Sequence, residues 1–179
     1  MKFICKVLLL LFLSIASSQV FAAAGTAGTG KPVDVVTAIY RNFGWELTED
    51  IGSRTVLIDQ PRSVLQQYFT PKLVKLIVSD RKYVARTKEV GHLDFILLSG
   101  SQDPGGIGNI RITAKPGTNI VSVLYDQDKE KDVMKIDYHC IQTGHGWRVA
   151  DIRYKSRKSA TFPVPEPEQS LLDLLSQPY

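Results

Sequence analysis

Carboxylates, imidazoles and a lone thiol are the groups in this chain with chemistry to offer, and their spacing decides which chemistry is open. The most suggestive set lies in the C-terminal third. With Gly144-His145 as a two-residue hairpin turn, Gln142 faces Trp147, Cys140 faces Val149 and Tyr138 faces Asp151. One sheet face then carries Met134, Ile136, Tyr138, Cys140, Trp147, Val149 and Asp151, an apolar surface holding a carboxylate. A carboxylate in such a place must be hydrogen-bonded or have its pKa raised. Asp151 can therefore accept bonds from Tyr138 or from backbone groups and lock the sheet to a helix. Alternatively it is a pocket acid or base, with Asp94 as a second carboxylate. Gln102 and Asp103, in Ser101-Gln102-Asp103-Pro104, cap a turn or line the mouth of the same site. The expected pocket is thus Asp94, Gln102, Asp103, Tyr138, Trp147 and Asp151.

Other constellations fail on physical grounds. Gly25 to Lys31 (GTAGTGK) has the spacing of a phosphate-binding loop, but Pro32 stands where Ser or Thr must hold magnesium, and no strand precedes it. Gly105-Gly106-Ile107-Gly108 reads as turn glycines. His92, His139 and His145 lack ligand-like spacing. His139 and Cys140 are strand neighbours on opposite faces, so they cannot easily act together as base and nucleophile. No serine sits in a nucleophile elbow. No catalytic residue, cofactor or metal site is expected.

Composition bounds the rest. Of 179 residues, 44% are hydrophobic and 22% charged, ordinary values for a globular chain. Met1 to Lys6 is a basic start, Val7 to Ile15 is apolar, and Val20 and Ala22 are small residues at the minus-three and minus-one places. This pattern predicts a secretory signal peptide over 1–22, cleaved near Ala22 or Ala24. Its apolar run is too short for the ~20 residues a membrane span needs, and no later stretch is longer. Loss of Lys2 and Lys6 lowers the net charge of +4 to about +2, too weak to argue for nucleic acid. Cys5 leaves with the leader, so Cys140 is left without a disulfide partner and reads as a small buried hydrophobe. The expected location is periplasmic or secreted. The basic clusters Arg81-Lys82 with Arg86 and Lys88, and Arg153 to Lys158, read as solvated faces; in an envelope compartment they can also meet anionic headgroups, cell-wall polymer or an acidic protein.

The elements that position these groups follow from periodicity. Residues 23–31 form a small, Gly-rich tether. Pro32 opens a helix with Val33, Val36, Ile39, Tyr40 and Phe43 at helical spacing and Gly44 as its stop. Pro61 begins a second, with Val64, Leu65, Tyr68 and Phe69 apolar. Thr70-Pro71 caps a third that runs to about Arg86, with Leu73, Leu76, Ile77 and Val84 inward and Tyr83 a further candidate for that face. Strands are expected at 94–98, at 110–114 (Ile110 and Ile112 on one face), at 120–125, at 134–142 and at 147–154. Helices followed by antiparallel strands make one α+β domain over 32–160. A Pro-rich tail over 161–179 ends in a short amphipathic helix, Ser170 to Leu175, that docks on the sheet or engages a partner.

Three segments carry a resemblance: Gly91-His92-Leu93-Asp94-Phe95, Ser101-Gln102-Asp103-Pro104, and Gly146 to Tyr154 (GWRVADIRY). In that order, after an N-terminal helix pair, they resemble the domain-of-unknown-function 3828 family of bacterial exported proteins, over about Pro32 to Tyr154. The closing GWRVADI resembles the final strand of the wider nuclear-transport-factor-2-like (cystatin-like) superfamily. The resemblance implies a cone-like curved sheet around helices, and no established reaction. This chain departs from lipid-anchored members by lacking an acceptor Cys. The expected function is a non-enzymatic periplasmic binding module whose partner is an unknown protein or small envelope ligand. The alternatives are an immunity protein against a periplasm-delivered toxic effector, and a small lyase or isomerase using Asp151 or Asp94.

Overall fold

A computed structural model describes residues 30–48, 53–102, 106–127, 130–156 and 167–179. The leader, most of the tether, Asp103 and the bulk of the Pro-rich stretch lie outside the described residues. Among those described, no helix is long and apolar enough to cross a membrane.

Helix α1 spans Pro32–Phe43. Proline fixes its first turn, and the Asp34 carboxylate reaches back to accept the Lys31 N–H at 2.8 Å. Val36, Ile39, Tyr40 and Phe43 are buried as expected, and Gly44 leads into a tight turn over Gly44–Leu47. Another short turn, Leu57–Asp59, precedes α2 (Arg62–Tyr68). Helix α3 spans Pro71–Thr87; Thr70 caps it by accepting from Leu73 N–H, and Lys88 ends it in the left-handed conformation (φ 65°). Its buried positions are Leu73, Val74, Ile77 and Asp80. Val84, expected inward, is 38% exposed because the last turns of α3 run past the core.

The strands are β1 (Gly108–Ala114), β2 (Ile120–Gln127), β3 (Glu130–Thr143), β4 (Gly146–Ser156) and the short β5 (Gln169–Ser170). They pair in sequence order, all antiparallel, as one open sheet against which the helices pack. The chain is α+β. Val121, Val123, Tyr125, Ile136, Tyr138, Cys140, Val149, Ile152 and Tyr154 form the core face and are all buried. Met134 is partly buried against them. Ile112 also packs on this core, whereas Ile110, beside a bulge, is 39% exposed. The C-terminal segment docks: α4 (Leu171–Leu174), capped by Ser170, buries Leu171, and Leu175 follows it into the core.

Two expectations need correction. The segment 94–98 is not a strand. It leads into a buried turn closed by an isolated bridge between Ile96 and Ser101, with the Ser99 and Gly100 N–H groups donating to the Ile96 carbonyl. A short apolar run reports burial, and periodicity alone cannot say whether a strand lies beside it. The final hairpin keeps the predicted pairs Gln142–Trp147 and Cys140–Val149, but Tyr138 faces Ile152, and Asp151 faces His139. A bulge after Val149 inserts one residue and exchanges the faces beyond it. The cause is a tertiary contact: the Val149 carbonyl accepts the Thr70 N–H at 2.9 Å, and Phe69 bridges Val149, so the α2–α3 junction occupies β4 at that point. Asp151 therefore lies on the outer face.

Gly100 has φ 70°, and a Cβ there would lie 2.5 Å from Cδ1 of Tyr154. Gly100→Ala is expected to destabilise by about 2 kcal/mol or more, read as a lower urea midpoint at unchanged m-value.

Candidate functional site

The space between sheet and helices is filled by tyrosines. Tyr40, Tyr125 and Tyr154 donate their hydroxyls to the carbonyls of Leu98, Ser99 and Leu97 at 2.8, 2.7 and 3.0 Å. Tyr138 shares a 3.0 Å hydroxyl contact with Tyr40 and meets its ring edge-on. Burial pushes all four phenols above their ordinary pKa, so they stay neutral donors. The Cys140 thiol is buried beside them and pushed up to about 12, which keeps it protonated and unreactive.

Glu46 is a buried carboxyl whose charge acts on Tyr138 of this cluster. It is 2% exposed and accepts the Leu57 N–H at 2.5 Å, which ties the 53–59 segment to the end of α1. Burial lifts its pKa to about 7, with the Leu57 bond opposing and Asp59 adding.

The outer face of the sheet is a ladder of charge. Asp151 accepts from Ser170 Oγ at 3.0 Å, from Leu172 N–H at 2.9 Å and from Arg153 Nε at 3.1 Å. It thus locks the sheet to the C-terminal helix, one of the two roles foreseen for it, through the backbone rather than through Tyr138. Asp137 accepts from Ser122 at 2.6 Å and pairs with Lys135 and Lys155 at 3.5 Å each. Burial works to raise its pKa, but the Ser122 hydroxyl and the two ammonium groups outweigh that and hold it below its ordinary value. His139 is lowered by burial and by Arg153, which favours neutral imidazole.

The residues expected to share a pocket are dispersed. Asp94 and Gln102 do meet, at 2.9 Å, on the exposed side of the loop. Tyr138 is deep in the core, Asp151 is on the opposite face, and the Trp147 indole donates to the Gly30 carbonyl at 2.9 Å, closing the entry to α1. Asp103 lies outside the described residues.

A different set converges at the rim. Ser63, Gln66, Gln67, Phe69, Pro71, Thr143, His145 and Arg148 line a cleft of about 430 Å³ between α2 and the β3–β4 hairpin. Amides and hydroxyls surround an apolar floor there, the make-up of a small-ligand site. Arg148 is fixed by donating to the Gln66 and Trp147 carbonyls, each at 2.8 Å. Thr143 stiffens the hairpin tip by donating to the Gly146 carbonyl at 2.7 Å and accepting the His145 N–H. Nothing in the linear pattern joins Gln66 to Arg148, although the Gln66-Gln67 pair beside the Thr70-Pro71 cap signals a polar patch at a helix junction. Among the described residues, no three His, Cys, Asp or Glu side chains group as a metal set.

The chain matches no family model, no curated protein and no solved structure.

Two outcomes follow from these contacts. Asp151→Asn keeps one acceptor but removes the anion from Arg153 and Ser170; the expected cost is about 1–2 kcal/mol, with earlier proteolytic release of the C-terminal segment. For Glu46, the folded chain holds its proton to about 7 whereas the ordinary group ionises near 4.5. Stability is therefore lost as pH rises across that window. Glu46→Gln is expected to match the parent near pH 4 and to exceed it near pH 8 by on the order of 1 kcal/mol in chemical denaturation.

Proposed function

We propose that this chain is an exported, non-enzymatic binding module of the bacterial envelope, and that it takes its ligand at the cleft between α2 and the β3–β4 hairpin. The observation that carries this reading is the filled interior. The tyrosine hydroxyls that would line a mouth between sheet and helices are engaged with the 97–99 carbonyls, and the core thiol is protonated. A lyase or isomerase would need a free carboxylate facing an open interior; Asp151 lies on the other face, and buried Glu46 is engaged with the Leu57 N–H. The rim cleft instead offers fixed polar groups beside an apolar floor, which suits recognition. The leader pattern over 1–22 supports export. Helices laid on one face of a bulged antiparallel meander are in keeping with the resemblance to the domain-of-unknown-function 3828 family and the nuclear-transport-factor-2-like superfamily.

The test is photo-crosslinking in the periplasm. A benzophenone side chain at Gln67 is expected to give one dominant adduct, and the same group at exposed Ile110 none. Equal labelling from both positions, or retention of the uncleaved chain in the cytoplasm, overturns the proposal.

A further inference from the structure

The last residue of the chain occupies a slot of its own. The Tyr179 ring stacks on Tyr83 with centroids 3.7 Å apart and planes 10° apart, and on His92 at 4.3 Å and 22°. Two such face-to-face neighbours cannot share one face of a ring, so Tyr179 is sandwiched between them. Its hydroxyl donates to Oδ1 of Asp80. That carboxylate is 2% exposed on α3.

The slot is built without the tail. Asp80 and Tyr83 are three residues apart and so share a face of α3. Tyr83 is steadied by donating its hydroxyl to Glu89. The 91–93 loop is held against Asp80 by the His92 N–H at 2.7 Å and the Leu93 N–H at 3.4 Å. Gly91 makes this approach possible, since a Cβ there would lie 2.7 Å from Oδ2 of Asp80. The tail is tied back to α4 by the Ser176 and Gln177 N–H groups and the Ser176 hydroxyl, but it is exposed. After buried Leu175, residues Ser176, Gln177 and Pro178 are exposed, and Tyr179 itself remains 54% exposed. Two further observations point to a larger occupant. Among the described residues the His92 Nε2 atom is buried without a hydrogen-bond partner, and a depression of about 580 Å³ lined by Val84 and Leu93 shares Asp80 with the slot.

We propose that Asp80, Tyr83 and His92 form a receptor for a para-hydroxyphenyl group, and that Tyr179 is its displaceable occupant in cis. The two rings select an aromatic plane, and the buried carboxylate selects a hydroxyl on its edge, because an unsubstituted ring would leave Asp80 short of a donor. The Tyr179 side chain therefore competes with any phenolic ligand and sets the concentration at which the slot responds.

The probe is p-cresol, with toluene as the control, read by ring-proton shifts of Tyr83 and His92. Tyr179→Ala is expected to bind p-cresol saturably and about tenfold more tightly than the parent, because the cis competitor is gone. Toluene is expected to bind at least about tenfold more weakly to the same variant. Tyr179→Phe, which keeps the stack and loses the hydroxyl, falls between the parent and Tyr179→Ala. The proposal is overturned if Tyr179→Ala gains nothing over the parent, if toluene binds as well as p-cresol, or if the shifts map away from Tyr83 and His92. Should Tyr179→Ala fail to fold, Tyr179→Phe carries the same comparison. The slot is separate from the Gln67 cleft, so crosslinking there and p-cresol binding here fail independently.

Discussion

A peptide turn can be buried in a core only if its carbonyls find donors, and here tyrosine hydroxyls supply them. The carbonyls of Leu97, Leu98 and Ser99 each receive one phenol, from Tyr154 on β4, Tyr40 on α1 and Tyr125 on β2. One turn thereby joins a helix and two strands. Burying it also brings Leu97 and Leu98 inside, at 1% exposure or less. Gly100 allows the chain to leave against the Tyr154 ring. Remove this arrangement and the space between sheet and helices becomes a polar cavity.

The second organising contact lies on the other side. Val149 gives its carbonyl to Thr70, the residue that also caps α3. The bulge that follows turns Ile152 and Tyr154 inward and Asp151 outward. One displaced residue therefore creates both the Tyr154 bond to the turn and the Asp151 anchor for the C-terminal helix. The surface pairs around it, Arg153 with Glu168 and Lys155 with Glu168, add orientation more than stability at their exposure.

These commitments shape where recognition is possible. Polar groups in the interior hold the fold, and the two places proposed to take a ligand lie at its edges: the α2–hairpin cleft and the Tyr179 slot. Both sit where a helix meets a loop or hairpin, and both place fixed polar atoms beside an apolar floor. A binding role at such rims is consistent with an α+β scaffold whose interior is structural.

The amino-acid sequence by itself determined the α+β class, the helix starts at Pro32 and Thr70-Pro71, and the hairpin turn at Gly144-His145, because proline, capping and turn chemistry act locally. It also carried the Cys140–Val149 pairing, which depends only on counting from that turn. Only the tertiary structure decided the rest. The bulge depends on Thr70 reaching β4 from far along the chain, so the facing of Asp151 was invisible to alternation. The burial of 97–99 as a turn depends on three distant hydroxyls, and the Tyr179 slot joins residues of α3 to the last residue of the chain. Local periodicity is set by neighbours a few residues away, whereas these contacts exist only once the sheet and helices have closed on one another.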